Sequence, residues 1–216
     1  MSEQISQAVI KRLPRYYRYL KDIEKRGEDR VSSFKMSEEM GLNASQIRRD
    51  LNCFGGFGQQ GYGYSVEKLK KEIAHILGLD KRYNVIVVGA GRIGQALMGY
   101  ESFEKEAFHM AAIFDNDSEK IGMLVNGRPV KHIKELSAYL DENKIDIAML
   151  CTPKENAKQA AKLLTDCGIK AIWNFAPIDV EEQDGVAVEN VHLSDSLYVL
   201  SYKLDTNSKR NGKNDI

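Results

Sequence analysis

Four branched apolar residues, Val85-Ile86-Val87-Val88, run into Gly89-Ala90-Gly91-Arg92-Ile93-Gly94, and the chain then resumes in a helical pattern. Three glycines spaced this way directly after a buried strand constrain the fold strongly. Gly89 makes the tight turn, Gly91 lets a ligand approach the backbone, and Gly94 lets the new helix pack on the strand it has just left. The first turn of that helix offers N–H groups with no partner inside the helix and the positive end of its dipole, which suits a pyrophosphate.

The rest of the C-terminal half alternates in the same style. Strands are expected at 84–88, 109–114, 145–150, 171–175 and 186–191, and helices at 93–100, 133–142 and 154–167, the last of these capped by Gly168. Residues 121–130, with Gly122, Gly127 and Pro129, read as a loop carrying a short edge strand. Near-continuous apolar strands separated by helices predict a Rossmann-type doubly wound parallel sheet. The second strand ends in Asp115, 21 residues after Gly94, against the offset of about 20 at which an acid binds the ribose hydroxyls. A carboxylate there accepts hydrogen bonds from two hydroxyls and repels a 2′-phosphate, which favours NAD(H) over NADP(H). Arg92 is placed to contact a phosphate. A Rossmann-like domain holding CoA or another nucleotide is the alternative.

The first 80 residues follow a different plan. Ile5 to Ile23 shows helical spacing interrupted by Pro14, which starts or kinks the main helix, and Gly27 stops it. Ser32 caps a short helix, Gly41 ends it, and Asn43 caps a second helix from Ala44 to about Phe54. This is the helix-turn-helix plan. Residues 55–64 hold five glycines and three aromatics, a density no helix survives, so a hairpin is expected. Helix-turn-helix plus hairpin gives a winged helix. Ser45, Gln46, Arg48, Arg49 and Asn52 project from the second helix, while Ile47, Leu51 and Phe54 face inward. Arg reads guanine, and Gln and Asn read adenine, when such a helix lies in the major groove. Arg12, Arg15 and Arg18 on the first helix are candidates for phosphate contacts.

The expected organisation is therefore a winged helix at 1–80 and a cofactor domain at 81–192. A helix capped by Ser194-Asp195 follows, within 193–204 and running from about 196, and then a polar, disordered tail at 205–216. Net charge is zero and the three cysteines form no CxxC pair. No apolar run suggests a leader or a membrane span, which points to a reduced, cytoplasmic setting. Of His75, His109, His132 and His192 only His192 is placed for proton transfer, no metal-ligand spacing appears, and no second domain is left to bind a substrate. A binding domain without turnover is the better reading than an NAD-dependent oxidoreductase.

The stretches KRLPRYYRYL, SQIRRDLNCFGGFGQQGYGY, VVGAGRIGQAL, AAIFDND and GIKAIWNFAP resemble the Rex redox-sensing transcriptional repressors, over about Ile10 to Tyr202. That resemblance implies a homodimer that binds palindromic operator DNA through its winged helices and leaves it when NADH replaces NAD⁺. It implies Arg48 and Arg49 as the basic pair of the recognition helix, and a wing including Gln59, Gln60 and Tyr62 to Tyr64. It also implies a nucleotide site at Gly89, Ala90, Gly91, Arg92, Ile93, Gly94 and Asp115. Thr152-Pro153 and Asn174-Phe175-Ala176-Pro177 match loops near the cofactor. Arg18 and Tyr100 match members of a polar switch between domains, and the last helix matches one swapped between subunits. Two departures stand out. Gln59-Gln60 occupies a place where the wing often carries a basic residue. His192 stands where some members have the switch aspartate, with Asp195 three residues on as a substitute.

Overall fold

The computed structural model describes residues 5–55, 58–59, 62–182 and 185–211. The chain divides into two compact units, residues 1–81 and 82–216.

In the first unit a short helix α1 (Gln7–Ile10) precedes α2 (Leu13–Lys25), with Pro14 in the opening turn of α2. Proline lacks the N–H that an interior helical position must donate, so the helical run is divided before it and Pro14 stands in the first turn of the main helix, as expected. Strand β1 (Arg30–Val31) follows, then α3 (Ser33–Met40) and α4 (Ala44–Asn52). The Ser32 hydroxyl accepts from the Lys35 N–H, and the Asn43 side chain accepts from the Ser45 and Gln46 N–H groups, at 2.8 and 3.3 Å. Gly41 between the two helices lies at φ 63°, the left-handed conformation that ends a helix at low cost for glycine. The turn between the helices is therefore written in three residues. β2 (Gly58–Gln59) and β3 (Gly63–Ser65) are antiparallel, and β3 also pairs with β1, giving the order β1-β3-β2. The expected hairpin is thus part of a three-stranded sheet whose outer strand, Arg30–Val31, was not foreseen. Gln60 lies outside the described residues, as do Gly56, Phe57 and Gly61. α5 (Val66–Ile76) closes the unit. Leu13, Tyr16, Leu20, Ile23, Met36, Ile47, Leu51, Leu69 and Ile73 form its core.

The second unit is built on β4 (Tyr83–Val88), α6 (Arg92–Met98), α7 (Glu101–Lys105), β5 (Phe108–Asp115), β6 (Leu124–Val125) and β7 (Arg128–His132). A 3₁₀ turn (Ile133–Glu135) leads into α8 (Leu136–Glu142), followed by β8 (Ile147–Leu150), α9 (Lys154–Asp166), β9 (Ala171–Asn174), β10 (Ala187–Asn190) and α10 (Leu193–Asn211). The sheet order is β10-β9-β8-β4-β5-β7-β6, parallel throughout except at β6. The segment at 121–130, read as a loop carrying a short edge strand, supplies that antiparallel edge strand and the start of a parallel one. The apolar run of β4 is explained by alternation: Ile86 and Val88 pack into a core on one face with Phe114 and Leu150, while Val85 and Val87 pack into the other with Met98 and Met149. Because β5 and β8 flank β4 on opposite sides, the chain reverses direction of winding at β4, and ligands bind at such a point beyond the C-terminal strand ends.

The clearest departures from expectation are in two helices. The helix expected at 93–100 ends at Met98, and α7 takes up the chain after Gly99-Tyr100. The last helix starts at Leu193, so Ser194 and Asp195 lie inside its first turn instead of capping it, and it continues to Asn211 through residues expected to be a disordered tail. Residues 212–216 lie outside the described part.

Candidate functional site

A cavity of about 680 Å³ opens at the C-terminal ends of β4, β5, β8 and β9. Its walls include Gly89, Gly91, Ile93, Asp115, Thr152, Pro153, Phe175 and Pro177, all expected from the sequence. α9 contributes a wall that sequence reasoning missed, with Asn156, Gln159, Ala160 and Leu163. These residues look from sequence like an ordinary amphipathic helix, and nothing local in them signals a ligand.

The three glycines do distinct work. A Cβ on Gly89, at φ 106°, would lie 2.5 Å from the Cys151 carbonyl oxygen, and one on Gly94 would lie 1.9 Å from the Gly89 oxygen. Both positions are closed to any side chain by backbone that has nowhere to go. Gly91 is the opposite case: it has ordinary extended backbone, φ −77°, and a Cβ there would meet nothing within 4 Å. The protein itself does not need glycine at 91, so the open space beside it is room for something else.

Asp115 is buried at the cavity wall. Its Oδ2 accepts the Ala90 N–H at 2.7 Å and a Lys120 Nζ–H at 3.3 Å, and its Oδ1 accepts the Asp117 N–H at 2.9 Å. Burial pushes its carboxyl up, but the Asp117 and Ala90 N–H groups and Lys120 outweigh that and hold it below the usual range. Asp115 thus braces the glycine loop as an ionised carboxylate, a structural duty that its spacing alone does not reveal. Lys120 reaches Asp117 too, at 3.2 Å.

Thr152 carries a second signal. Its Oγ1 is buried with no hydrogen-bond partner among the described residues, and a buried hydroxyl left unpaired carries a desolvation cost that a ligand group can relieve. Next to it burial pushes the Cys151 thiol up to about 12, which keeps it protonated and rules it out as a thiolate nucleophile. The open side of Gly91, the unpartnered Thr152 hydroxyl and the anionic Asp115 fit a dinucleotide.

Other candidates divide. Asn174 is fully buried and does not line the cavity: its Nδ2 donates to the Ile178 carbonyl and to Asn190 Oδ1, and its Oδ1 accepts from Ala176. It staples the turn that carries Phe175 and Pro177, with Ala176 buried between them. Arg92 is exposed and off the cavity, and Ala90 contributes through its N–H to Asp115. Tyr100 is half exposed at the start of α7 and away from the cavity wall, but its ring begins a chain of aromatic contacts. Tyr100 meets Phe103 at 4.8 Å between centroids, Phe103 meets Trp173 at 5.9 Å, and Trp173 meets Phe175 at 4.6 Å. Among the described residues no group of three or more His, Cys, Asp or Glu is arranged to hold a metal.

His192 immediately precedes α10, and its Nε2 sits 2.8 Å from Asp179 Oδ1. The Asp179 hydrogen bond raises the imidazole above its ordinary value, with a smaller push from Asp195. Asp195 is exposed in the first turn of α10. The nearest acid to His192 is thus Asp179, which sequence distance had hidden.

In the first unit, Ser45, Arg48, Arg49 and Asn52 are exposed on α4 and Gln46 is half-buried, while Ile47 and Leu51 are buried. The Arg48 guanidinium donates to Ser33 Oγ at 3.0 Å and to Ser45 Oγ at 2.9 Å. Tyr62 is exposed at the wing, and its carbonyl accepts from Arg30 Nε at 2.9 Å. Arg12 and Arg15 are engaged within the unit. Arg12 makes a two-pronged pair with Asp50 of α4, at 2.6 and 2.7 Å, and Arg15 donates to the Met40 carbonyl. The Tyr16 hydroxyl also donates to Asp50, at 2.6 Å. Burial pushes the Asp50 carboxyl up, yet the Arg12 and Tyr16 hydrogen bonds hold it below its ordinary value. A buried carboxylate on α4 fixes that helix to α2. Arg18 remains exposed on α2.

A winged helix-turn-helix presenting basic side chains, on one chain with a glycine-loop dinucleotide fold, defines a class of protein: a DNA-binding regulator that answers to a nucleotide. Comparison narrows the class. Residues 4–52 match the family described as putative DNA-binding protein N-terminus, and residues 80–178 the family described as CoA binding domain. A redox-sensing transcriptional repressor Rex from Thermoanaerobacter pseudethanolicus is 53% identical over 94% of this chain and 90% of its own length. A crystal structure of RSP in complex with β-NAD⁺ and operator DNA superposes with a TM-score of 0.89 at 50% identity, covering 98% of each chain. RSP, a Rex-family repressor, was also solved with β-NADH, and that structure gives a TM-score of 0.88 at 48% identity over 97% of this chain and 98% of that one. The chain belongs to the Rex family of redox-sensing transcriptional repressors.

Proposed function

We propose that this chain binds palindromic operator DNA as a homodimer, senses the NADH/NAD⁺ ratio at the cavity, and is released from DNA by NADH. The observation that carries the reading is that relatives this similar along the whole chain were solved with NAD⁺ and operator DNA and with NADH. The cavity supports the ligand. The open side of Gly91 takes the pyrophosphate, Asp115 the adenosine ribose, and Thr152 supplies a hydroxyl to the bound nucleotide. Phe175 and Pro177 form the wall of β9. The exposed face of α4, with Ser45, Gln46, Arg48, Arg49 and Asn52, enters the major groove, and Gln59 and Tyr62 belong to the wing.

A homodimer is supported by α10. Leu193, Leu197, Leu200 and Leu204 repeat at alternating steps of four and three along it and are 58 to 68% exposed, the spacing of a helix–helix seam. A second copy is the occupant that covers them. Arg18 in the first unit, and Tyr100 with His192 or Asp195 in the second, are the proposed switch residues. No described helix is long and apolar enough to cross a membrane, and a cytoplasmic setting follows from the regulatory role. Linkage supplies the mechanism: a ligand that favours the state poor at binding DNA weakens DNA binding, and DNA weakens the ligand by the same factor.

The family description for residues 80–178 favours a second reading, CoA as the ligand. Titrating the protein–operator complex with NADH, NAD⁺, NADPH and CoA separates them. NADH alone is expected to dissociate the complex. An intact complex at saturating NADH overturns the redox reading, and release by CoA installs the second.

A further inference from the structure

Among the described residues of α4, Arg48 is a candidate base-reading side chain held by a hydrogen bond to another helix. Its Nη1 donates to the hydroxyl of Ser33, the first residue of α3, and its Nη2 donates to the hydroxyl of Ser45, one turn back on α4. The two serines therefore grip the guanidinium from both arms of the helix-turn-helix. Ser45 and Arg48 are three residues apart and share a helix face, so that contact is local. The Ser33 contact is different, because it exists only while α3 and α4 hold their crossing.

That crossing is well determined. α3 is capped by Ser32 and α4 by Asn43, Gly41 sets the turn between them, and Asp50 locks α4 to α2 through Arg12 and Tyr16. A guanidinium carries five N–H donors in a rigid fork. Two are spent on the serines, and three remain for a nucleic acid. A long side chain normally loses rotamer freedom when it docks, and an arginine already held gives up less.

We infer that Ser33 is a positioning residue for sequence readout: its hydroxyl, with that of Ser45, pre-sets Arg48 for a base edge and thereby sets specificity more than general affinity. The inference rests on the DNA-binding reading above. Neither serine needs to touch a base for this. Phosphate contacts elsewhere carry the sequence-independent affinity, so loosening Arg48 selectively weakens the preferred site.

The test begins with a pool of duplexes randomised over a stretch long enough for two half-sites, from which wild-type protein selects its preferred sequence. Affinities for that sequence and for an unrelated duplex are then measured for wild type, Ser33→Ala, Ser33→Thr, Arg48→Ala and Ser33→Ala/Arg48→Ala at one salt concentration. Ser33→Ala is expected to weaken the selected site about three- to ten-fold, the scale of ordering one such side chain, through faster dissociation, with the unrelated duplex unchanged. Ser33→Thr keeps a hydroxyl and restores binding. In the Arg48→Ala background the Ser33→Ala change has no further effect, whereas a merely structural Ser33 costs the same in both backgrounds. An unaltered Ser33→Ala affinity, equal losses on both duplexes, or additive losses in the double variant overturns the inference. A wild-type chain that selects no sequence overturns the DNA-binding reading itself.

Discussion

Gly91→Ala separates the glycine that the ligand needs from those that the fold needs. The backbone at 91 is extended and open to alanine, and the added methyl would meet no atom within 4 Å. Two small stability effects oppose each other. Alanine stiffens the unfolded chain, worth about 0.4–1 kcal/mol, but Gly91 is the N-cap of α6 and alanine is a poorer cap by roughly 0.5–1 kcal/mol. They nearly cancel, so the melting temperature should move by less than about 2–4 °C. Ligand affinity is another matter. A methyl on the cavity wall keeps a pyrophosphate from the first-turn N–H groups of α6, and losing one or two charge-assisted hydrogen bonds at about 1.5–3 kcal/mol each costs roughly 3 kcal/mol. That is on the order of 100-fold in NADH affinity. The assay pairs calorimetric NADH binding with thermal melting and operator retention. The expected variant folds, holds operator DNA, and keeps holding it at NADH concentrations that strip the wild type. Wild-type NADH affinity in Gly91→Ala would refute the placement of the pyrophosphate at this loop.

Other outcomes follow from the same geometry. Gly94→Ala places its methyl 1.9 Å from the Gly89 carbonyl oxygen, so it should lower stability by several times the Gly91→Ala effect and register as lost soluble protein or a much lower melting temperature. Asp50→Ala leaves the Arg12 guanidinium and the Tyr16 hydroxyl without their carboxylate and should cost about 2–4 kcal/mol in urea unfolding followed by a probe in the first unit. Because the Asp50 carboxyl sits below its ordinary value in the folded chain, its stabilisation is complete above an unfolded value of about 3.9 and is lost as pH falls through the folded value; Asp50→Asn should flatten that acid limb. His192 is raised by Asp179, so its contribution is full below an unfolded value of about 6.5 and lost as pH rises through the folded value. An NMR titration should show it above that reference in wild type and returned toward it in Asp179→Asn. Leu197→Glu puts a charge in the apolar seam of α10 and should shift the sedimenting species from dimer to monomer; an unchanged dimer would move the subunit contact elsewhere.

Much of this molecule is local in sequence and was therefore legible. Ser32, Gly41 and Asn43 specify the helix-turn-helix through caps that reach no more than four residues. The glycine loop is specified by its spacing and by the apolar strand before it. The cavity walls at Thr152-Pro153 and Phe175-Pro177 followed from family resemblance, since nothing in their local pattern marks them. What escaped has a different physical origin. Arg12 and Arg15 read as a basic face because their partners, Asp50 and the Met40 carbonyl, lie 38 and 25 residues away. The outer wing strand Arg30–Val31 is two residues long and exists only through its pairing with β3. Asn174 is polar beside a ligand loop, yet its amide is consumed by the backbone of the turn it shapes. α10 overran its expected end because a polar composition does not forbid a helix; it removes only the apolar evidence for one.

Trp173 is the sole tryptophan of the chain, and it stands one ring behind the cavity wall, between Phe103 and Phe175. The protein therefore carries its own optical gauge of redox state. Indole emission overlaps the absorption of a reduced nicotinamide and not that of an oxidised one, so energy transfer distinguishes the two ligands without any label. NADH bound at the cavity should quench the indole and brighten in return, and NAD⁺ should do neither. Emission that ignores both nucleotides while calorimetry registers binding would place the nicotinamide beyond transfer range of Trp173. With the gauge working, occupancy and DNA release can be followed in one cuvette, and the order of the two events becomes a question of kinetics.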